Sequence, residues 1–318
     1  MALDPNQVNL HPQAKALLDF LLQAGRIPYS EITPVLARGQ MAELIRRTKK
    51  TTEWPVTARD LEILGPTGRL RARLVTPRDA GAGALPVLAY FHGGGWCIGD
   101  LDTHDPVCRQ VAAEAKCAVF SLDYRLAPEH RFPAAVEDCF AAVRFLTEKG
   151  REFGLDPTRI ALGGDSAGGN LAAVCAILAR DAGLKLAGQV LIYPATDWVG
   201  HYASREDYAA GFLLTKEAMD WFGGNYIDAK DHRDVRASPI LAPDLSRLPP
   251  ALTLCGECDP LLGESHAYAE KLRAAGNESS FTLYPGQIHA FLNMGGVIGD
   301  ADKAIAEIAA FLQRVFTR

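Results

Sequence analysis

The sequence predicts an α/β protein built on a mostly parallel central sheet with helices on both faces. Two observations carry this prediction. From Val87 to the C-terminal end, short continuous apolar runs alternate with longer helical patterns, and continuous apolar strands belong to a sheet covered on both sides. With 318 residues, the folded chain should expose roughly 13,000 Å² of about 50,000 Å², enough for one large core. No fixed-period repeat is present, so solenoids and propellers fall away.

In chain order, the runs place strands at Val87 to Phe91, Ala118 to Leu122, Ile160 to Gly163, Val190 to Tyr193, Ala251 to Leu254 and Phe281 to Tyr284. Helical patterns fall between and after them, at Pro106 to Ala115, Ala134 to Glu148, Gly169 to Asp181, Leu261 to Ala274 and Asp302 to Val315. Two regions break this rhythm. Residues 1–50 carry two amphipathic helical patterns, His11 to Gln23 and Thr33 to Arg47, split by Gly25-Arg26-Ile27-Pro28, and read as an N-terminal helical cap segment. Residues 51–318 form the main domain, in which 197–239, rich in Trp, Tyr, Phe and charge, reads as a second cap insertion; long insertions of this kind carry function.

Composition excludes several classes. Hydrophobic residues at 48% and charged residues at 22% are the balance of an ordinary globular protein, not of a tail or a fibre. The net charge of −5, with no basic cluster denser than Arg46, Arg47, Lys49 and Lys50, argues against nucleic acid as a partner. The longest apolar stretch, Leu171 to Ala179, is too short for a bilayer core, which needs about 20 residues, so no membrane span is expected. Met1-Ala2-Leu3-Asp4-Pro5 has neither a basic nor an apolar leader region, and the seven scattered cysteines fit a reducing compartment. The expectation is a cytoplasmic protein.

The chemistry lies in two glycine motifs. Gly164-Asp165-Ser166-Ala167-Gly168 is a G-x-S-x-G sequence directly after a strand and before a helix, the context that presents a nucleophilic serine on a strained turn. His92-Gly93-Gly94-Gly95-Trp96 follows the Val87 strand. Acyl transfer passes through a tetrahedral oxyanion, and a glycine run leaves backbone N–H groups bare to stabilise it. The amides of Gly94, Gly95 and Ala167 are the candidate donors. His92 reads as a brace for this loop rather than as a base.

A nucleophilic serine needs a base, and the base needs an acid to orient it. Asp259 lies just past the Ala251 strand, and His289 just past the Phe281 strand, so both fall on loops at the sheet edge that carries Ser166. Glu257 is the rival acid. His266 falls in a helical pattern, and His201 and His232 lie in the insertion.

These motifs, in this order, resemble the hormone-sensitive-lipase-like esterases, a bacterial branch of the α/β-hydrolase family. The resemblance extends to Asp123-Tyr124-Arg125-Leu126-Ala127-Pro128-Glu129-His130, Tyr193-Pro194, Ser238-Pro239, Asp259-Pro260-Leu261 and Ile288-His289, and runs from about residue 70 to the end. It implies an α/β-hydrolase fold and a carboxylesterase for short to medium acyl chains, with Ser166, Asp259 and His289 as triad. A small-molecule ester as substrate, a helical cap and a homodimer are also implied, with no cofactor and no metal. The chain departs from the pattern in Leu262-Gly263-Glu264, where Arg-Asp-Glu is usual, and in Ala290, where Gly commonly follows the histidine. Both departures bear on the packing of the acid and base loops.

Other features bear on the pocket and on rival functions. Asp165, Trp96, Phe212, Trp221 and Phe291 are candidate pocket residues, although aromatic side chains serve core packing equally well. Cys255-Gly256-Glu257-Cys258 has the spacing of a redox or zinc pair, but no second Cys/His pair stands nearby to complete a metal site. Gly93, Gly95 and Gly99 after one strand and Asp123 after the next have the outline of a dinucleotide site, but the surroundings are wrong for phosphate. A dinucleotide loop opens straight into a helix, whereas Asp100, Asp102 and Asp105 precede the helical pattern here and repel phosphate. The remaining alternatives are an amide or acetyl-group hydrolase with the same triad and a non-catalytic small-molecule receptor on the same fold.

Overall fold

The computed structural model describes residues 2–79, 81 and 83–317. The folded chain exposes 13031 Å², close to the area its size requires. Eight strands form one sheet in the order β1-β2-β4-β3-β5-β6-β7-β8, with β1 Val56–Leu64, β2 Arg69–Pro77, β3 Leu85–Phe91, β4 Ala118–Leu122, β5 Leu155–Asp165, β6 Gly188–Ile192, β7 Ala251–Cys258 and β8 Ser279–Ile288. From β4 to β8 every neighbouring pair is parallel, and β2 is antiparallel to both β1 and β4.

Side chains alternate across the pleat. Val87, Ala89 and Phe91 of β3 enter one core and Leu88 and Tyr90 the other. The first core holds α4 (Ala134–Lys149), α5 (Ala167–Asp181) and α8 (Leu262–Ala274); the second holds α3 (Leu101–Ala115) and α9 (Asp300–Phe316). The N-terminal helices α1 (Pro12–Gln23) and α2 (Pro34–Thr48) precede the sheet, and the insertion contributes α6 (Ala203–Asp207) and α7 (Lys216–Tyr226). No helix among the described residues is long and apolar enough to cross a membrane.

Several boundaries differ from the sequence reading. The hairpin β1–β2 is absent from it, because this edge pair is polar: Val56 and Ile63 are the buried residues of β1, while Asp60 and Glu62 pair with Arg73 and Arg69 across the ladder. Helix α3 begins five residues before Pro106, because Asp100 and Thr103 form a capping box: Asp100 Oδ1 accepts from Thr103 N at 2.8 Å and Thr103 Oγ1 accepts from Asp100 N at 2.9 Å. Asp102 and Asp105 therefore lie inside the helix, and the Asp100 carboxylate occupies the N-terminus a pyrophosphate would need. The elbow is also tighter than expected. Strand β5 runs to Asp165 and α5 begins at Ala167, leaving Ser166 alone between them.

That junction depends on close approach. A Cβ on Gly168 would stand 1.8 Å from the carbonyl oxygen of Phe91, at the end of β3. Gly168→Ala is therefore expected to destabilise the fold by about 3 kcal/mol or more, read from urea unfolding, or to yield no folded protein. A loss below about 1 kcal/mol, on the order of an ordinary surface change, would show that β3 and the elbow are not in contact.

Candidate active site

Each candidate group leaves the same sheet edge. Ser166 follows β5, Asp259 follows β7, His289 follows β8 and Gly93 to Gly95 follow β3. Ser166 has φ 57° and ψ −117°, a strained conformation for an L-residue. Its backbone N–H donates to the carbonyl oxygen of Ile192 at 2.8 Å, which fixes the turn and directs Oγ away from the sheet.

The three side chains meet in one hydrogen-bonded line. His289 Nδ1 lies 2.7 Å from Asp259 Oδ2, and Nε2 lies 3.0 Å from Ser166 Oγ. An ionised carboxylate can only accept, so Nδ1 carries the proton and Nε2 is left to accept from the serine hydroxyl. Asp259 is fully buried, and its second oxygen, Oδ1, accepts from Leu261 N at 2.8 Å. His289 packs against the Tyr193 ring at 4.7 Å. Ala290, the residue after it, holds φ 61°, the left-handed conformation that explains the usual glycine there.

Gly94 and Gly95 have φ 115° and 56°, a turn that aims successive amides out of the loop. Together with Ala167, the first residue of α5, they place three N–H groups near Ser166 that donate to no protein acceptor among the described residues. The loop is held from behind by Asp165. Its Oδ1 accepts from Tyr90 Oη at 2.7 Å and Gly93 N at 3.0 Å, and its Oδ2 accepts from Asn293 Nδ2 at 2.9 Å. Burial alone would raise the Asp165 carboxyl, but His104, Tyr90 and Asn293 outweigh it and hold it well below the ordinary carboxylate range. One carboxylate thus ties the serine turn to the glycine loop.

His92 is a brace. Its Nδ1 donates to the Gly93 carbonyl at 2.8 Å and its ring stacks on Tyr124 at 4.3 Å, while burial and neighbouring His104 push it down to about 4 and keep it neutral. Glu257 accepts from Gly286 N at 2.8 Å and makes no bond to His289. His266 lies exposed on α8 beside Phe281. The Cys255 and Cys258 thiols are free and buried, and burial raises both, pushing Cys258 up to about 11. Neither has the thiolate character that redox exchange requires.

A cavity of about 480 Å³ is lined by Ser166, His289, Gly94, Gly95, Trp96 and Asp165. Its walls include Met41, Leu44 and Ile45 of α2 and Met219, Phe222 and Gly223 of α7. Three expected pocket residues lie elsewhere. Phe212 is buried edge-on against Tyr208 at 5.0 Å, and Phe291 is buried between Tyr193 and Tyr284. Trp221 stacks on Tyr29 at 5.7 Å, and its neighbour Phe222 faces the cavity instead. Met219, Phe222 and Gly223 share one helical face, and the packing of α7, not the periodicity, turns that face to the cavity. His232, Arg205 and Glu264 also line the cavity; Glu264 keeps the glutamate of the Arg-Asp-Glu pattern that follows Asp259-Pro260-Leu261, while no motif marks His232 or Arg205.

A strained serine elbow at the carboxyl edge of a parallel sheet, backed by a histidine from the last strand, defines the α/β-hydrolase class, and the chain belongs to that family over residues 88–293. Within it the chain falls in the hormone-sensitive-lipase-like branch. It is 37% identical over 317 residues to an ethyl acetate hydrolase of Pseudomonas putida, covering 96% of this chain and 99% of that one. It is 45% identical over 272 residues to the carboxylic ester hydrolase LipN of Mycobacterium tuberculosis, covering 82% and 72%. Among solved structures, an ester hydrolase from the metagenome of Lake Arreo superposes with a TM-score of 0.94 at 39% identity, covering 97% of this chain and all, 100%, of the other. The hyperthermophilic esterase of Pyrobaculum calidifontis gives a TM-score of 0.90 at 38% identity, covering 97% and 99%.

Proposed function

We propose that this protein hydrolyses carboxylic esters of short to medium acyl chains through a serine acyl-enzyme. The observation that carries it is the unbroken line from Asp259 through His289 to Ser166, at 2.7 and 3.0 Å, opening on a cavity lined by Gly94 and Gly95, whose amides, like that of Ala167 next to Ser166, donate to no acceptor among the described residues.

In this mechanism His289 Nε2 takes the Ser166 proton as Oγ attacks the ester carbonyl, and Asp259 stabilises the imidazolium. The carbonyl oxygen becomes an oxyanion that accepts from Gly94, Gly95 and Ala167. Its collapse breaks the bond to the alkoxy group, which leaves with the proton from His289 as an alcohol. Water then gives its proton to His289 and its hydroxide to the acyl carbon. Collapse of the second tetrahedral intermediate releases the acid and returns the proton to Ser166. Every proton is carried by the chain's own residues.

Residues 1–50 and 197–239 are proposed as the two halves of a cap, since α2 and α7 both supply residues of the cavity wall. Seven free, buried cysteines support a reducing, cytoplasmic setting. A homodimer is the assembly the family resemblance implies.

A p-nitrophenyl ester series from acetate to palmitate tests the reading, with a fluorophosphonate probe for Ser166. We expect labelling of Ser166 and the highest kcat/KM at short to medium chain length. An optimum at palmitate would make the protein a lipase; failure of both hydrolysis and labelling would make it a binding protein on a hydrolase fold.

A further inference from the structure

One buried carboxylate has no part in these steps. Glu264 lies in the first turn of α8, five residues after Asp259, and is completely buried. Its Oε1 accepts from Thr196 N at 2.8 Å and Asp197 N at 3.3 Å, and its Oε2 accepts from Arg205 Nε at 2.8 Å and from Arg205 Nη2. Its carbonyl oxygen accepts from Thr196 Oγ1 at 3.1 Å. Residues beside it repeat the pattern. Ser204 Oγ donates to the Pro260 carbonyl at 2.9 Å and accepts from Gly263 N at 3.0 Å, and Ser265 Oγ donates to the Pro194 carbonyl at 3.1 Å.

Two stretches far apart in sequence are therefore laced together. One, 194–205, leaves β6 and begins the insertion; the other, 260–265, leaves Asp259. Gly263 permits their approach, since a Cβ there would lie 2.8 Å from Tyr202 Cβ. The departure from Arg-Asp-Glu at this position is thus matched to Tyr202. Both stretches reach the cavity, through Asp197 and Arg205 on one side and Leu261 and Glu264 on the other. Leu261 N also holds Asp259 Oδ1, so the laced segment grips the acid of the triad directly.

The chemistry of the site calls for an anion. Two backbone N–H groups and two guanidinium N–H groups converge on one side chain, and a neutral group leaves part of that donor set unpaired in the interior. Burial pushes the Glu264 carboxyl up to about 7, with Arg205 and the two amides pulling the other way.

We propose that Glu264 is a positioning residue for ester hydrolysis: it fastens the 194–205 arm of the cavity wall to the segment that carries Asp259, so that the wall and the triad acid keep one fixed relation. The proposal rests on the assignment of Asp259 as the triad acid. A displacement of about 1 Å at that carboxylate costs up to roughly 100-fold in rate.

The test compares wild type with Glu264→Gln, Glu264→Ala, Arg205→Met and the double variant Glu264→Gln/Arg205→Met. Turnover of p-nitrophenyl acetate is measured per Ser166 site titrated to completion with fluorophosphonate, so that loss of folded protein drops out of the comparison. We expect kcat per site to fall about tenfold in Glu264→Gln and Arg205→Met and up to about 100-fold in Glu264→Ala. The double variant should be no slower than the worse single one, because the pair acts as a unit. If Glu264→Ala gives no folded protein, the Gln and Met variants decide. Titrated sites with kcat within twofold of wild type, or losses that multiply in the double variant, overturn this proposal alone. Wild type that the probe does not label overturns the esterase reading and the proposal with it.

Discussion

Ser166→Ala is expected to lower kcat on a p-nitrophenyl butyrate substrate by at least about 10⁴-fold, with the melting temperature unchanged. Among the described residues, the Ser166 hydroxyl is the hydrogen-bond partner of His289 Nε2, at 3.0 Å, and alanine removes that oxygen without replacing it. Nothing else at the elbow depends on it. The backbone bond from residue 166 to Ile192 is made by the main chain, and Ala167 begins α5 as before. Alanine also meets the same backbone strain at φ 57° as serine does, so stability gives no cover for a lost rate. The residual activity should remain above the uncatalysed reaction, since Gly94, Gly95 and Ala167 still donate to the oxyanion of an attacking water. A loss below tenfold would remove Ser166 from the mechanism.

The reach of the sequence reading follows from what each motif encodes. G-x-S-x-G and the His92 glycine run specify backbone turns, and a turn is local, so Ser166 and the Gly94–Gly95 loop were legible from residue order alone. Asp259 and His289 were legible because a parallel sheet sends every strand end to one edge, so position after a strand implies position near Ser166. Strands β1 and β2 carry no such signal, for the opposite reason. An edge hairpin with Asp60 and Glu62 facing Arg73 and Arg69 has no continuous apolar run to betray it. The start of α3 was hidden by Pro106, which reads as a helix beginning but lies within a helix already capped by Asp100.

The cavity was least legible. Trp221 and Phe222 are adjacent, and which of them faces the substrate depends on how α7 is rotated against Tyr29 and Gly95, a tertiary fact with no sequence signal at one position. The same holds for Glu264, whose partners Thr196, Asp197 and Arg205 lie about 60 to 70 residues away. A lone glutamate in a helical pattern ordinarily faces water. Only the fold shows that this one is enclosed by donors. Asn293 is similar: its bond to Asp165 joins residues 128 apart in the chain.

Asp259→Asn should cost about 10⁴-fold in kcat while leaving the fold intact, and the cause is the orientation the structure imposes on the amide. Asp259 Oδ1 accepts from Leu261 N at 2.8 Å, and Oδ2 accepts from His289 Nδ1 at 2.7 Å. An asparagine has one acceptor oxygen and one donor nitrogen for these two places. Putting the oxygen toward His289 would set the NH₂ group against the buried Leu261 N–H, donor facing donor, with both left unpaired at a cost of about 1–3 kcal/mol each. The oxygen therefore stays with Leu261, and the NH₂ group turns to the imidazole. His289 must then accept at Nδ1 and carry its proton on Nε2. In that tautomer Nε2 donates to Ser166 Oγ and cannot take its proton, so attack on the ester loses its base although every atom remains in place. Steady-state rates on p-nitrophenyl butyrate give the loss, and urea unfolding should match wild type within about 1 kcal/mol. A variant that is stable and retains more than one tenth of wild-type kcat would show that His289 does not need Asp259 to choose its tautomer, and the triad assignment would fall with it.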